Sequence, residues 1–434
     1  MRYVLVLAVL VVFTFFLNLM EALFPHLYGD RAILVLGFVL LSSFIAGRMI
    51  RRARMPMITG YLLAGLVLGP HVLGRLHGDL TVFTPEVLDQ LGLVDDLALG
   101  LIALTAGGEL RLRELRTRFR MIGAITGLQT GIVLLGTIAV LWVMAPYLPF
   151  TAGQPAGLVL AAALMLAICS TATSPSTTIA VITEVGAKGP MTTTMMGVTV
   201  LKDVVTLIVF SMGLVAARKL LHPQSALDFA VLLHVVWEIF GSLVIGLLLG
   251  VAIGFYIRYI GRELPSLILA LSFLSMKLGA QTQLSGILIC VSAGFYIENF
   301  TDHGEQMIEA IERYSLPVYI VFFTLAGAKI NIDLLRDMWQ IALLLIAARL
   351  LFTYLGTYFG VRLVGGSVQD RRLTWMGFIG QAGITLGLAT IIGRVVPDIG
   401  TDLRTLIIAV IAINQLIGPI MLRFALYRGG EAKA

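Results

Sequence analysis

Apolar residues run through this chain in long blocks, separated by short stretches rich in Arg, Lys, Asp, Glu, Gly and Pro. The blocks fall at about 3–24, 31–50, 57–75, 88–108, 121–145, 156–183, 191–217, 230–259, 264–279, 283–299, 314–332, 338–364, 373–394 and 402–426. Most are near the length that crosses a hydrocarbon core roughly 30 Å thick. The pattern predicts an all-α polytopic membrane protein with about fourteen transmembrane helices. Continuous runs of this kind exclude an outer-membrane barrel, whose strands are short and alternate. Arg2 and the run after it look at first like a signal peptide, but the run is too long for an h-region and lacks a small-x-small cleavage site. A true membrane helix is expected there.

Charge adds orientation. Only 13% of residues are charged and 58% are hydrophobic, against about 25% charged in ordinary soluble domains. Alternating the predicted helices places Arg2, Arg51, Arg52, Arg54, Arg111, Arg113, Arg116, Arg118, Arg120, Arg258, Arg262, Arg371, Arg372, Arg423 and Arg428 on one side. By the positive-inside rule that side is cytoplasmic, and both termini lie on it. The net charge of +6 therefore reports topology, and no nucleic-acid partner is expected. Cys169 and Cys290 lie inside apolar blocks and the six histidines are scattered, so neither a disulfide framework nor a resident metal site is expected. Glu305, Glu309, Glu312 and Asp302 read as an acidic, solvated cytoplasmic loop.

Two short segments recur. Leu104–Leu115 (LTAGGELRLREL) is echoed by Phe323–Leu335 (FTLAGAKINIDLL), and Ile58–Gly65 (ITGYLLAG) by Leu284–Gly294 (LSGILICVSAG). The alternation of sides makes the copies run in opposite directions. The predicted organisation is an extra N-terminal helix within 1–30, a first inverted repeat at 31–217, a linker helix within 218–263, a second repeat at 264–426 and a short cytoplasmic tail at 427–434. Inverted repeats belong to secondary transporters with alternating access.

Matched positions of the two repeats hold helix breakers. Ile168–Ile179 reads ICSTATSPSTTI around Pro175, and Phe378–Leu386 reads FIGQAGITL with Gly380, Gln381 and Gly383. Pro175 removes a backbone donor, and the freed carbonyls are tolerable at membrane depth only where they line a cavity or bind something. Two crossing unwound helices are expected; a kink satisfied by local Ser and Thr is the blander alternative.

Lys202 and Asp203 stand side by side in the middle of an otherwise apolar segment. Each charge at a bilayer centre costs roughly 2.5–3.5 kcal/mol on the gentlest scale. A polar cavity where an ion or proton moves accounts for them, and a structural ion pair is the alternative.

With these residues in view, the chain resembles the monovalent cation:proton antiporter superfamily, closest to its bacterial branch of sodium/proton antiporters and potassium efflux systems. The likeness rests on Pro56-x-Ile58-x-Gly60-Tyr61-Leu62-Leu63-Ala64-Gly65-x-x-Leu68-Gly69-Pro70, the LTAGGEL end, the STATSPST break and Asp203, in that order across about 31–426. It implies a core domain drawn from about 88–217 and 314–426, excluding the dimer-domain helices, moving like an elevator against a dimerisation domain in a homodimer of the bacterial inner membrane. It implies that Asp203 binds the ion, with the Thr173 carbonyl, the Ser174 side chain and Thr199 beside it, and that Arg349 is the basic residue preceding the second broken helix. Lys202 departs from the family, which carries Asp, Asn or Gln there, and Ser174 stands where some relatives have a second carboxylate.

Oxygen ligands from Asp203, Thr199, Ser174 and Thr173 suit Na⁺ or K⁺. Either Asp203 alone cycles between protonated and cation-bound forms, or the Lys202 ammonium is a tethered surrogate cation that the ion displaces; both predict electroneutral exchange. Arg349 is read as a partner that holds the core helices or competes with the ion, or as half of a pair with a buried carboxylate. No phosphate loop or hydrolase motif occurs, so an enzyme and a cofactor are not expected. The rival readings are an anion or organic-acid transporter on the same fold, attracted by Lys202, and a transport-inactive ion or pH sensor.

Overall fold

The computed structural model describes residues 31–53, 55–76, 82–148, 150–221, 229–330, 332–381, 388–389, 392 and 399–432. The expected helix at 3–24 and Gly383 lie outside them. The described residues form helices: α1 (Arg31–Arg52), α2 (Met57–Leu68), α3 (Leu73–Leu76), α4 (Pro85–Gln90), α5 (Gly92–Glu109), α6 (Leu112–Met144), α7 (Ala156–Thr171), α8 (Pro175–Val185), α9 (Pro190–Leu221), α10 (Phe229–Tyr259), α11 (Leu264–Thr282), α12 (Gly286–Phe300), α13 (Gly304–Ala328), α14 (Ile332–Leu363), α15 (Val368–Leu373) and α16 (Gly400–Arg428). Eight segments among the described residues are long and apolar enough to span a membrane.

Some boundaries differ from the sequence pattern for identifiable reasons. The expected acidic loop is helical: α13 begins at Gly304, and Met307 and Ile311 are buried while Glu305, Glu309 and Glu312 face outward. The segment is an amphipathic helix end, whose charged face hid its apolar stripe. Likewise α6 starts at Leu112, because the basic run Arg113–Arg120 continues the helix beyond its apolar part. Residues 429–432 fold back on the core, and the Glu431 carboxylate caps α9 by accepting the N–H groups of Met191 (2.7 Å) and Thr192 (2.6 Å).

Packing pairs α6 with α14, α5 with α12, α2 with α13 and α10 with α12. The two recurring segments meet crosswise. A Cβ on Gly65 of α2 would fall 1.8 Å from the Thr324 carbonyl oxygen of α13, and one on Gly327 2.0 Å from that of Leu62. At the other crossing, a Cβ on Gly107 of α5 would lie 2.1 Å from the Val291 oxygen of α12, and one on Gly294 2.2 Å from that of Leu104. Backbones approach this closely only where side chains are absent, the use of glycine at membrane helix contacts. These two crossings border the interrupted helices.

Candidate ion-binding site

The break after α7 is local chemistry. Ser174 precedes proline and is held extended (φ −102°, ψ 106°), so the helix stops at Thr171 and restarts at Pro175. Ser174 is the N-cap of α8: its hydroxyl accepts the Thr177 N–H at 3.2 Å, with Pro175 at the first helical position. Gly186, in the left-handed region at φ 59°, closes the other end. The second interruption is α15, a 3-10 turn at Thr374–Phe378 and then non-helical backbone from Ile379 to Gln381. The two breaks touch through the backbone, the Ser174 N–H donating to the Gly380 carbonyl at 2.8 Å. The Thr178 hydroxyl donates to the Gly377 carbonyl at 3.0 Å, and a Cβ on Gly418 of α16 would lie 2.7 Å from the Gly380 Cα.

Arg349 of α14 joins both breaks. Its guanidinium, 1% exposed, donates to the carbonyls of Ser170 (2.9 Å) and Ala172 (2.9 Å) at the end of α7, and to those of Phe378 (3.1 Å) and Ile379 (2.9 Å) at the second break. The partners are carbonyls rather than the buried carboxylate considered from sequence. The C-terminal ends of two helical segments carry partial negative charge and unpaired acceptors, and one planar guanidinium answers four of them. Gln381 adds to this, donating to the Cys169 carbonyl at 2.9 Å while its own oxygen accepts from Asn414 at 2.8 Å.

Beside the crossing lies a narrow cavity of about 30 Å³, lined by Thr173, Ser174, Pro175 and Ser176, by Asp203 of α9, and by apolar residues of α5 and α12 such as Ala106 and Val291. That is room for a water or two. Asp203, 6% exposed, is the acidic group in this lining and has no hydrogen-bond partner among the described residues. The Thr173 hydroxyl is buried without a hydrogen-bond partner among the described residues. Ser174 is occupied by its cap and by the hydroxyls of Ser176 (2.9 Å) and Thr177 (3.0 Å). Thr199 is fully buried and donates to the Met195 carbonyl of its own helix.

Lys202 is not brought to this group. Its ammonium donates to the Gln129 side-chain oxygen of α6 at 2.6 Å, and the Gln129 amide continues to the Thr357 hydroxyl of α14 at 3.0 Å. No ion pair links Lys202 to Asp203 among the described residues. Adjacent helix positions diverge by about 100°, and here one faces the cavity and the other the α6–α14 seam. Sequence reading did not single out Gln129, Asn414 or Ser176; an isolated amide inside an apolar block, as in ITGLQTGIV or IAINQLIG, is the signal that marks the first two.

A family model described as "Sodium/hydrogen exchanger, transmembrane" matches residues 38–428. The chain belongs to the sodium/hydrogen exchanger family. It is a multi-pass membrane protein of a family of cation:proton antiporters. It is 26% identical over 410 residues to the Na(+)/H(+)-K(+) antiporter GerN of Bacillus cereus, covering 92% of this chain and 97% of that one. It is 22% identical over 402 residues to the Na(+)/H(+) antiporter of Enterococcus hirae, covering 90% and 97%. Its fold is similar to that of the sodium proton antiporter MjNhaP1 from Methanocaldococcus jannaschii at pH 8, with a TM-score of 0.67 at 18% identity over 92% of this chain and 97% of that one.

Proposed function

We propose that this exchanger trades one monovalent cation, Na⁺ or K⁺, for one proton, with Asp203 as the carboxylate that the two ions occupy in turn. The observation that carries this reading is the Asp203 carboxylate, without a hydrogen-bond partner among the described residues, in the wall of the cavity where the two breaks meet. Thr173, with its unpaired hydroxyl, and Ser174 supply neutral oxygens alongside, a donor set suited to a hard cation. The relatives named above as Na⁺/H⁺ and Na⁺/H⁺-K⁺ antiporters support the cation class.

Charge accounting favours electroneutral exchange. Arg349 is committed to four carbonyls and Lys202 to Gln129, so a turnover changes only the occupant of Asp203. The position of Lys202 also weighs against the rival readings. An anion carrier needs a cation in the cavity wall, and a locked sensor needs Lys202 paired with Asp203.

In the same reading the chain has fourteen membrane helices with cytoplasmic ends and forms a homodimer in a bacterial inner membrane. The crosswise glycine contacts of α2 with α13 and of α12 with α5 support two inverted repeats, 31–217 and 264–426, joined by a linker helix within 218–263. The core body comprises α6–α9 and α14–α16, and it slides like an elevator against a dimerisation body containing α1, α2, α5 and α11–α13. The test is cation-driven proton flux in proteoliposomes with Na⁺, K⁺ and Li⁺ salts in turn. Flux with at least one salt is expected; none with any of them overturns the proposal.

A further inference from the structure

Helix α2 starts at Met57, after an N-cap Pro56 that offers no side-chain cap, so its first N–H groups need acceptors from elsewhere. They find one 127 positions away. Glu184, in the last turn of α8, accepts the Met57 N–H at 2.6 Å and the Ile58 N–H at 3.4 Å through its two oxygens. One residue upstream, the Met55 carbonyl accepts from the Arg423 guanidinium of α16 at 2.7 Å. Both sides of the Pro56 corner are therefore held by charged side chains of α8 and α16. Arg51 of α1 also lies near Glu184, as does the buried Tyr61 hydroxyl, which has no hydrogen-bond partner among the described residues.

The far end of α8 matters as much. From Pro175 and Ser176 in the cavity wall this helix runs to Glu184 and ends at Val185, a rigid rod of about 15 Å between the wall and the carboxylate. A displacement of the cavity wall along this rod is a displacement of the carboxylate from α2.

We propose that Glu184 is a positioning residue for transport: a latch that ties the ion-carrying body to the dimerisation body in this conformation and must let go when the core moves. The inference rests on the two-body reading above. Because the tie joins α8 and α16 to α2 across the boundary of sliding, it exists in one of the alternating states and is broken in the other. It therefore adds to the stability of one state only, and a ligand-independent contact of that kind sets the equilibrium between inward- and outward-facing forms.

The consequence is measurable without knowing which state this is. An apparent affinity is weakened by the fraction of carrier facing away from the ion, so the ratio of apparent KM for the cation on the two membrane faces is proportional to the equilibrium constant between states. Glu184→Gln keeps an acceptor but removes the charge, and Arg423→Gln removes the second half of the tie. Each should change that ratio by about three- to tenfold, in the same direction, since a hydrogen bond to a charged group is worth more than a neutral one by roughly that factor.

The experiment measures Na⁺-driven (or, where K⁺ is the better substrate, K⁺-driven) proton flux in oriented proteoliposomes, with the cation titrated on each face in turn. Unequal KM changes of the two faces, shared in sign by both variants, are expected. A ratio unchanged in both variants, or KM changes equal on both faces, overturns the latch. Should Glu184→Gln fail to fold, Arg423→Gln alone decides by the same ratio. Absence of cation-driven flux in the unmodified protein would strike the exchanger reading instead, a result separate from the failure of the latch.

Discussion

The Lys202 ammonium lies 2.6 Å from the Gln129 side-chain oxygen, on the side of α9 that faces α6 and away from the cavity that Asp203 lines. In the proposed exchange cycle Lys202 thus stands beside the ion site rather than in it. At an effective dielectric near 20, two unit charges about 10 Å apart still repel by on the order of 1.5 kcal/mol. Lys202→Gln is expected to raise cation affinity about tenfold, because a repulsive charge is gone, with proton coupling left on Asp203. Cation affinity measured against pH in both proteins checks this; superimposable curves would make Lys202 a helix tie and nothing more.

The same contact predicts a stability coupling. Gln129→Leu leaves a buried ammonium without its acceptor, and breaking a buried charged contact from one side costs about 3–5 kcal/mol. Lys202→Met in the Gln129→Leu background should recover much of that loss, since two apolar side chains need no partner. Thermal unfolding of the two single variants and the double variant in detergent measures the coupling. Additive effects would show that the contact carries no energy.

Asp203→Asn should abolish exchange while leaving the fold intact, because the amide keeps the shape of the cavity wall but neither ionises nor carries a proton. Near-normal cation-driven flux from well-folded protein would remove Asp203 from the site.

How much of this was legible in advance depends on what each residue touches. Pro175 announces its own break, since proline and the residue before it constrain backbone wherever they occur. The glycines of ITGYLLAG and FTLAGA were visible as parts of two different recurring segments, but that these two pack on each other was not, because contact between segments more than 200 residues apart is a property of the folded chain. Side-chain direction was the least legible. Lys202 and Asp203 look like a pair on paper, and only the neighbours across the helix, Gln129 for one and the cavity for the other, separate them. Glu305–Glu312 misled for a related reason: charges on one face of a helix look like a loop until Met307 and Ile311 are seen buried beneath them.

The glycine crossings give a test of packing that is independent of transport. Gly65→Ala forces a Cβ to 1.8 Å from the Thr324 carbonyl oxygen, so the helices must separate. Overpacking of this kind costs about 1–3 kcal/mol, and a lower melting temperature is expected. Gly131→Ala in α6, where nothing lies within 4 Å of the added carbon, should leave the melting temperature unchanged or slightly raised, since alanine favours helix. Equal melting temperatures for the two variants would contradict the close approach of α2 and α13.

Arg349 provides the severest case. Arg349→Lys keeps the charge, yet an ammonium is a compact point donor and does not span carbonyls belonging to two different helix ends as a planar guanidinium does. At least two of the four acceptors, among Ser170, Ala172, Phe378 and Ile379, would lose their donor. Each unsatisfied buried acceptor costs about 1–3 kcal/mol, so Arg349→Lys should lower stability by several kcal/mol and Arg349→Met by more. Because these carbonyls terminate both breaks, the geometry around Thr173 and Ser174 should loosen as well, and flux should fall even at temperatures where the variant stays folded. Unfolding curves and proteoliposome flux, measured on the same preparations, separate the two effects. A fully active, fully stable Arg349→Lys would mean that charge alone, and not the four-carbonyl geometry, is what the crossing requires.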